Sequence, residues 1–416
     1  MWFPSPRGRS SSPIADVDAV DEYLEQPLTE RTGIGLCLSG GGFRAALFHL
    51  GALRRLNELG ILARLSTITS VSGGSIIAAH LASRVTWPVS RQVGEWERQV
   101  AAPFRAFASH NLRSGPILRR LWPWNWARSS TGAEALAKAY EERLTDLPLS
   151  RLPERPMFIL CAADMAFGVN WVFQRTRMGD YQAGYVATPS HDWPLARAVA
   201  ASSAFPPVFN PLPVDIPAAK LIGGKFPSGT KRDAIVRGLR LTDGGVYDNL
   251  GPEPVWKDHA VVLVSDAGAV FNPEPDRNVL WRIRRYGGIV RSQAHALRKR
   301  WLISSFLAGV IHGAYWGIRS AAASYDQDDS AGYSKRVATE VIARIRTDMD
   351  AFSAPEAAVL ENHGYVLAAA AVKKHVPELI PEKPPPRDIP HPTWLDEGRV
   401  REALRDSAER RLLGRW

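Results

Sequence analysis

The stretch IGLCLSGGGFRAALFHLGALRRL, residues 34–56, decides the fold. It opens as an apolar run closed by glycine, the pattern of a buried strand. From Phe43 to Leu59 the apolar Ala46, Leu47, Leu50, Leu53 and Leu56 then return at helical spacing. A second unit of the same kind follows: STITSVS (66–72) is β-branched, and IIAAHLA (76–82), beyond two glycines, is helical again. MFILCAA (157–163), NWVFQ (170–174), RLT (240–242) and AVVLVSD (260–266) are further strand expectations. Six strands interleaved with helices predict an α/β fold, a sheet layered by helices.

Working outward, the spacing predicts a mobile tail over 1–32, a core over 33–275 with an insertion near 86–155, a helical part over 276–375, and a Pro-rich, charged tail over 376–416. The insertion is densest at RRLWPWNWAR (119–128). Expected late helices cover 279–300, 301–324 and 336–346, and EKPPPRDIPHP (382–392) has the composition of a linker. Hydrophobic residues at 45% and charged residues at 23% fit a globular protein and exclude a disordered one. The two cysteines, Cys37 and Cys161, lie in apolar runs and read as core residues rather than a disulfide or metal site. The opening residues lack the apolar run of a signal peptide, so a cytoplasmic location is expected. A formal charge of +10 favours anionic partners, but no zinc-finger spacing or RNP-type motif accompanies it, which argues against nucleic acid.

Three segments carry chemistry. Ser70-Val71-Ser72-Gly73-Gly74 ends a β-branched run and opens a helix; it matches the Gly-x-Ser-x-Gly nucleophile elbow except that Ser70 replaces the first glycine. Taken alone, a Ser/Gly-rich turn fits it equally. SGGGFRAA (39–46) presents the consecutive N–H groups of Gly40, Gly41 and Gly42 at a helix N-terminus, a nest for a negative oxygen. The missing Gly-Lys-Ser/Thr excludes a Walker loop and the contiguous glycines exclude a dinucleotide fingerprint, leaving an oxyanion hole. Arg44 either fixes this loop or adds positive potential. Asp243, in RLTDGGVYDNLG (240–251), stands where a short strand meets a tight turn; shielding from water there would raise its pKa and improve it as a base, whereas a solvated Asp-Gly turn is the bland alternative.

Taken together, GGGFRA, SVSGG and DGG, in that order, resemble the patatin-like phospholipase family. AVAASSAFPPVFNPL (198–212) is similar to that family's small-residue helix ending in prolines, and residues 345–365 are similar to a segment of bacterial members. The resemblance implies an α/β/α sandwich, a nucleophile at Ser72, a base at Asp243 with no histidine, and oxyanion donors from Gly40, Gly41 and Gly42. It also implies hydrolysis of phospholipid or other acyl-ester lipid without a cofactor or metal. Departures are Ala45, where the family has glycine after the arginine, and Ser70 at the elbow. An acyltransferase with the same dyad and a silent lipid-binding scaffold are the alternatives.

Among rivals, His363 follows Asp243 and so reproduces the Ser, Asp, His chain order of conventional α/β-hydrolases, although its surroundings suit a packing residue; Asp248 reads as a turn carboxylate and Asp266 as a strand-end one. Two regions bear on lipid. RRLWPWNWAR suits a peripheral anionic membrane surface through Trp122, Trp124 and Trp126, or equally the packing of a cap. Residues 301–318 form an uncharged run long enough to span, but serines, a histidine and glycines dilute it, and a buried helix is expected.

Overall fold

A computed structural model describes residues 30–114, 131–206, 208–271 and 273–408. The tryptophan-rich 119–128 segment and nearly all of the expected N-terminal tail lie outside these residues. The strands are β1 (Ile34–Leu38), β2 (Leu65–Val71), β3 (Met157–Asp164), β4 (Asn170–Phe173), β5 (Arg177–Asp180), β6 (Gly184–Ala187), β7 (Leu212–Pro213), β8 (Arg240–Asp243), β9 (Val261–Asp266) and β10 (His312–Gly317). The helices are α1 (Gly42–Glu58), α2 (Gly73–Arg84), α3 (Ala102–Ala108), α4 (Thr131–Arg143), α5 (Leu195–Ser203), α6 (Thr230–Arg237), α7 (Val279–Leu307), α8 (Lys335–Glu340), α9 (Ala354–His375) and α10 (Glu397–Ala403).

One sheet runs in the order β10-β9-β1-β2-β3-β4-β5-β6, with β8 joined to β3 and β7 to β8. The half from β10 to β3 is parallel, and the pairings beyond β3 are antiparallel. Strands buried on both faces need apolar residues at every position, and β1 reads IGLCL with all five buried. Successive side chains serve opposite faces. Leu36 and Leu38 join the large core under α1 and α2, while Cys37 meets Val262 and Val264 on the other face, closed by Leu302 of α7. The fold is therefore the expected α/β sandwich around a mostly parallel sheet. Both cysteines are buried and unlinked.

Three late expectations are corrected. Residues 301–318 are not one helix: α7 ends at Leu307, Gly309 takes a left-handed φ of 68°, and β10 adds to the sheet edge beside β9. Of the glycines that dilute this run, Gly309 follows the end of the helix and Gly313 lets β10 approach β9, since a Cβ on Gly313 would overlap the Val262 carbonyl. The part over 276–375 is accordingly not purely helical. The 336–346 helix breaks after Glu340 into a short 3₁₀ turn, Ile342–Arg344. The Pro-rich 382–392 segment is no loose linker but a strap over α1 and α9: Arg55 donates to the carbonyls of Pro385 and Pro386, Asp388 N–H donates to Tyr365 Oη, and His391 N–H donates to Asn362 Oδ1.

The helices α1 and α9 cross at glycine. A Cβ on Gly364 would overlap the Phe48 carbonyl, and one on Gly51 would overlap the Glu361 carbonyl. Backbone cannot yield cheaply, so Gly364→Ala is expected to cost about 1–3 kcal/mol by overpacking. In contrast, Gly287 in α7 faces open space, and Gly287→Ala should gain roughly 0.5–1 kcal/mol from helix propensity alone. Urea denaturation of both variants reads the opposite signs.

Candidate active site

The geometry at Ser72 follows from how β3 is shared. β2 pairs with β3 up to Val71↔Cys161 and then turns away, and the vacated edge of β3 is taken by antiparallel β8 beginning at Ala162↔Asp243. Adjacent positions on β3 thus hold Val71 and Asp243, so the residue after Val71 abuts Asp243. Ser72 Oγ donates to Asp243 Oδ2 at 2.7 Å, although the two residues are 171 apart in sequence.

Ser72 occupies φ 51°, ψ −114°, a conformation L residues rarely adopt, and it caps α2 without a side-chain bond to the helix. A strained non-glycine residue of this kind persists only where its surroundings hold it. Its N–H donates to Ser202 Oγ at 2.9 Å, and Ser202 in turn donates to the Cys161 carbonyl at 2.7 Å. Ser75 lies 2.8 Å from Ser202 and donates to Ser70 Oγ at 3.0 Å. Ser70 is therefore part of the network that holds the elbow. The elbow glycines serve close approach: a Cβ on Gly73 would overlap the Gly42 carbonyl, and one on Gly74 would overlap the Leu38 carbonyl.

That approach brings the two helix N-termini together. Gly41 (φ 141°) and Gly42 (φ 57°) make the turn into α1, beside the start of α2. Their N–H groups have no acceptor among the described residues, whereas the Gly40 N–H donates to the Asn249 carbonyl at 3.1 Å. Gly40 is thus removed from the expected donor set. Its contribution is steric: a Cβ there would stand 3.0 Å from Ser72 Cβ and overlap Asn249 Oδ1.

Arg44 is likewise not at an oxyanion position. It is buried and donates to four carbonyls: Ala343 (2.8 Å), Ile345 (2.9 Å), Ala267 (2.7 Å) and Gly268 (2.7 Å). Phe43 N–H donates to the Asp348 carbonyl, and a Cβ on Gly42 would overlap the Thr347 carbonyl. Residues 343–348 consequently brace the glycine loop. On the other side, burial drives the His49 pKa down to about 4, so the ring is neutral: Nε2 donates to the Ser39 carbonyl at 2.9 Å and Nδ1 accepts from Ser265 at 2.7 Å.

Burial raises the Asp243 pKa from 3.8 to about 6, against the pull of hydrogen bonds from Ser72 and the Gly245 N–H (2.7 Å) and of the Arg291 charge. Ser72 itself is 8% exposed, open enough for an incoming group. The rival residues lie elsewhere. His363 bonds the Ile318 carbonyl at 2.8 Å, packs against Phe48 and Tyr333, and is held neutral by burial. Asp248 closes a turn through the Leu250 N–H and pairs with Arg298. Burial works against the charge on Asp266, but His295, Lys299 and Tyr315 together hold its pKa well below the usual carboxylate range.

The structure brings together Ser72, Asp243 and the glycines singled out in the sequence, and adds Ser202, Asn249 and Arg291, which the sequence did not single out. Ser202 lay inside the small-residue stretch singled out above, and its position one strand-width from the elbow had no local signal.

A family model described as patatin-like phospholipase matches residues 36–256, more than half of the chain. A patatin-like phospholipase domain-containing protein of Aspergillus oryzae is 32% identical over 106 residues, 26% of this chain and 13% of that protein. A second, from Aspergillus niger, is 29% identical over 137 residues, 29% of this chain and 16% of its own length. The chain therefore matches a small fraction of these fungal relatives. Among solved structures, human GIVD cytosolic phospholipase A2 aligns over 94% of this chain and 65% of its own at 12% identity and a TM-score of 0.44. VipD from Legionella pneumophila aligns over 83% and 67% at 16% identity and a TM-score of 0.35.

Ser202→Ala removes the acceptor for the Ser72 N–H and leaves the Cys161 carbonyl without that donor, all in a buried site. It is expected to cost about 1–3 kcal/mol, the usual range for a buried group left unsatisfied, read by urea denaturation at neutral pH.

Proposed function

The chain belongs to the patatin-like phospholipase family, and on that premise we propose that it hydrolyses acyl-ester lipids through a covalent acyl-enzyme on Ser72, with Asp243 as the single general base. The observation that carries the reading is the 2.7 Å bond from Ser72 Oγ to a buried carboxylate whose pKa is lifted to about 6. A base with a pKa just below the working pH is ionised yet still basic enough to draw a proton.

In the forward step Ser72 Oγ attacks the ester carbonyl carbon while its proton passes to Asp243 Oδ2. The carbonyl oxygen becomes an oxyanion that the Gly41 and Gly42 N–H groups receive, where the converging N-termini of α1 and α2 favour negative charge. Collapse expels the alcohol, which takes the proton from Asp243. Water then attacks the acyl-serine, giving its proton to Asp243; Ser72 regains a proton as the carboxylic acid leaves. The cycle uses no histidine: His363 and His49 are committed to backbone carbonyls, and His295 to Asp266. The brace at 343–348 supports the oxyanion loop. A peripheral position on a cytoplasmic membrane face suits both a lipid substrate and two buried, unlinked cysteines.

Ser72→Ala and Asp243→Asn are each expected to remove nearly all esterase activity, and jointly little more than either alone, because the two groups act as a unit. Turnover near wild type in either folded variant refutes the assignment. A fluorophosphonate probe should label Ser72, as read by peptide mapping. The base must be ionised, so kcat/KM should rise with pH through a midpoint near 6; Arg291→Gln, which removes a charge that favours the carboxylate, should move that midpoint upward. The raised pKa also fixes a sign for stability. The protonated carboxyl favours the fold below about pH 4, that advantage is lost as pH rises through about 6, and Asp243→Asn should therefore unfold no more easily than wild type at neutral pH. His363→Ala should retain a substantial part of the activity, in contrast to the dyad variants.

A further inference from the structure

We propose that α7 is an interfacial helix that seats this protein on an anionic bilayer, with the mouth of the Ser72 site turned toward the lipid; the inference rests on the lipid-hydrolase reading above. α7 runs 29 residues, Val279–Leu307, and no described side chain from 279 to 301 is buried. Its apolar residues are nonetheless in order. Val279, Ile283, Tyr286, Val290, Leu297 and Trp301 fall within an arc of about 60° at the α-helical repeat, and all are exposed, with Ile283, Tyr286, Val290 and Leu297 at 60–67%. From Val279 to Leu297 the stripe faces water among the described residues, on a helix whose other face is already docked, and Trp301 ends it against the Trp256 ring, with centroids 5.2 Å apart.

Charge selects the occupant. The helix carries Arg282, Arg284, Arg285, Arg291, Arg298, Lys299 and Arg300 and no Asp or Glu. Asp276 and Glu274, in the preceding loop, pair with Arg282 and Arg284. Arg282 and Arg300 flank the apolar stripe, on a helix that carries no acidic residue, which is the composition of a helix lying in the plane of an anionic interface. No helix of the described residues is long and apolar enough to cross a membrane, so α7 fits lying on the bilayer rather than spanning it.

The docked face ties this surface to the site. The Arg291 guanidinium lies 4.6 Å from the Phe205 ring centroid and its charge reaches Asp243; Arg298 pairs with Asp248, and His295 and Lys299 with Asp266. Phe205 follows Ala204, whose carbonyl accepts the Asp243 N–H, and Val246 ends the turn that follows Asp243; both are exposed large apolar side chains. Seating the stripe on lipid thus brings the apolar rim of the dyad to the interface. Gly287 and Gly288, side by side with open space where their side chains would be, mark the point at which the projecting first turns can re-aim without disturbing the docked half.

The test compares the full chain with Ile283→Glu/Val290→Glu and with Ser72→Ala. Each is sedimented with vesicles of phosphatidylcholine alone and of equimolar phosphatidylcholine and phosphatidylserine, and assayed on those vesicles and on soluble p-nitrophenyl butyrate. Wild type is expected to bind the anionic vesicles and to weaken in high salt. The double variant should lose binding and vesicle hydrolysis by about tenfold or more while keeping soluble-ester turnover within about twofold, and Ser72→Ala should bind like wild type. Unchanged binding by the double variant overturns the proposal. So does a wild-type dimer, seen by light scattering, that the double variant converts to monomer, since the stripe would then cover a second copy. Binding lost as expected with no ester turned over by wild type supports the docking surface and removes the hydrolase reading alone.

Discussion

Everything at the site depends on two strands claiming the same edge of β3, the other edge being held by β4. β2 occupies the first half of the shared edge and leaves at Ser72; β8 comes from the opposite direction and ends at Asp243. A hydroxyl and a carboxylate brought together by sheet register need no flexible side chain to find one another. The requirement is that β2 leave abruptly, and the strained Ser72 backbone, held by Ser202 and flanked by glycines that tolerate neighbouring carbonyls, is how it leaves. Strain at Ser72 and placement of Asp243 are consequences of one topological event.

Electrostatics then divides the labour. Asp243 and Asp266 are both buried carboxylates at strand ends, yet they are driven in opposite directions. Asp266 has His295, Lys299 and Tyr315 around it and remains an anion that anchors α7. Asp243 has a hydroxyl, one N–H and the Arg291 charge, too little to offset burial, and so titrates near the range where proton transfer is useful. The partners within reach, rather than the depth of burial, decide which carboxylate is structural.

Much of this was legible in the sequence because the parts that recur are those with strong local signals. Buried parallel strands read as unbroken apolar runs, from which β1, β3 and β9 were placed, while β2 was placed from its β-branched residues. Glycine runs at strand ends marked the loop and the elbow. The failures are equally physical. Residues 301–318 matched a helix by composition, because apolar content does not report that Gly309 must turn left-handed and Gly313 must pass close to Val262. The donor role expected of Gly40 failed because a backbone N–H carries no sequence mark of whether a distant carbonyl, here that of Asn249, has already taken it. Ser202 was invisible for a similar reason: its partners are 41 and 130 residues away.

The four carbonyls gathered by Arg44 have an implication for where the working unit ends. Two of them, Ala343 and Ile345, belong to a stretch about three hundred residues downstream, and Thr347 and Asp348 close over Gly42 from the same stretch. The span matched by the family model stops at residue 256, so it contains Ser72, Asp243 and the glycine loop but not the masonry behind that loop. A chain cut at that boundary would keep the motifs and leave a buried guanidinium with its acceptors gone. Portability of this chemistry is set by the brace, and any transplant of the site into another scaffold has to carry the late segment along with it.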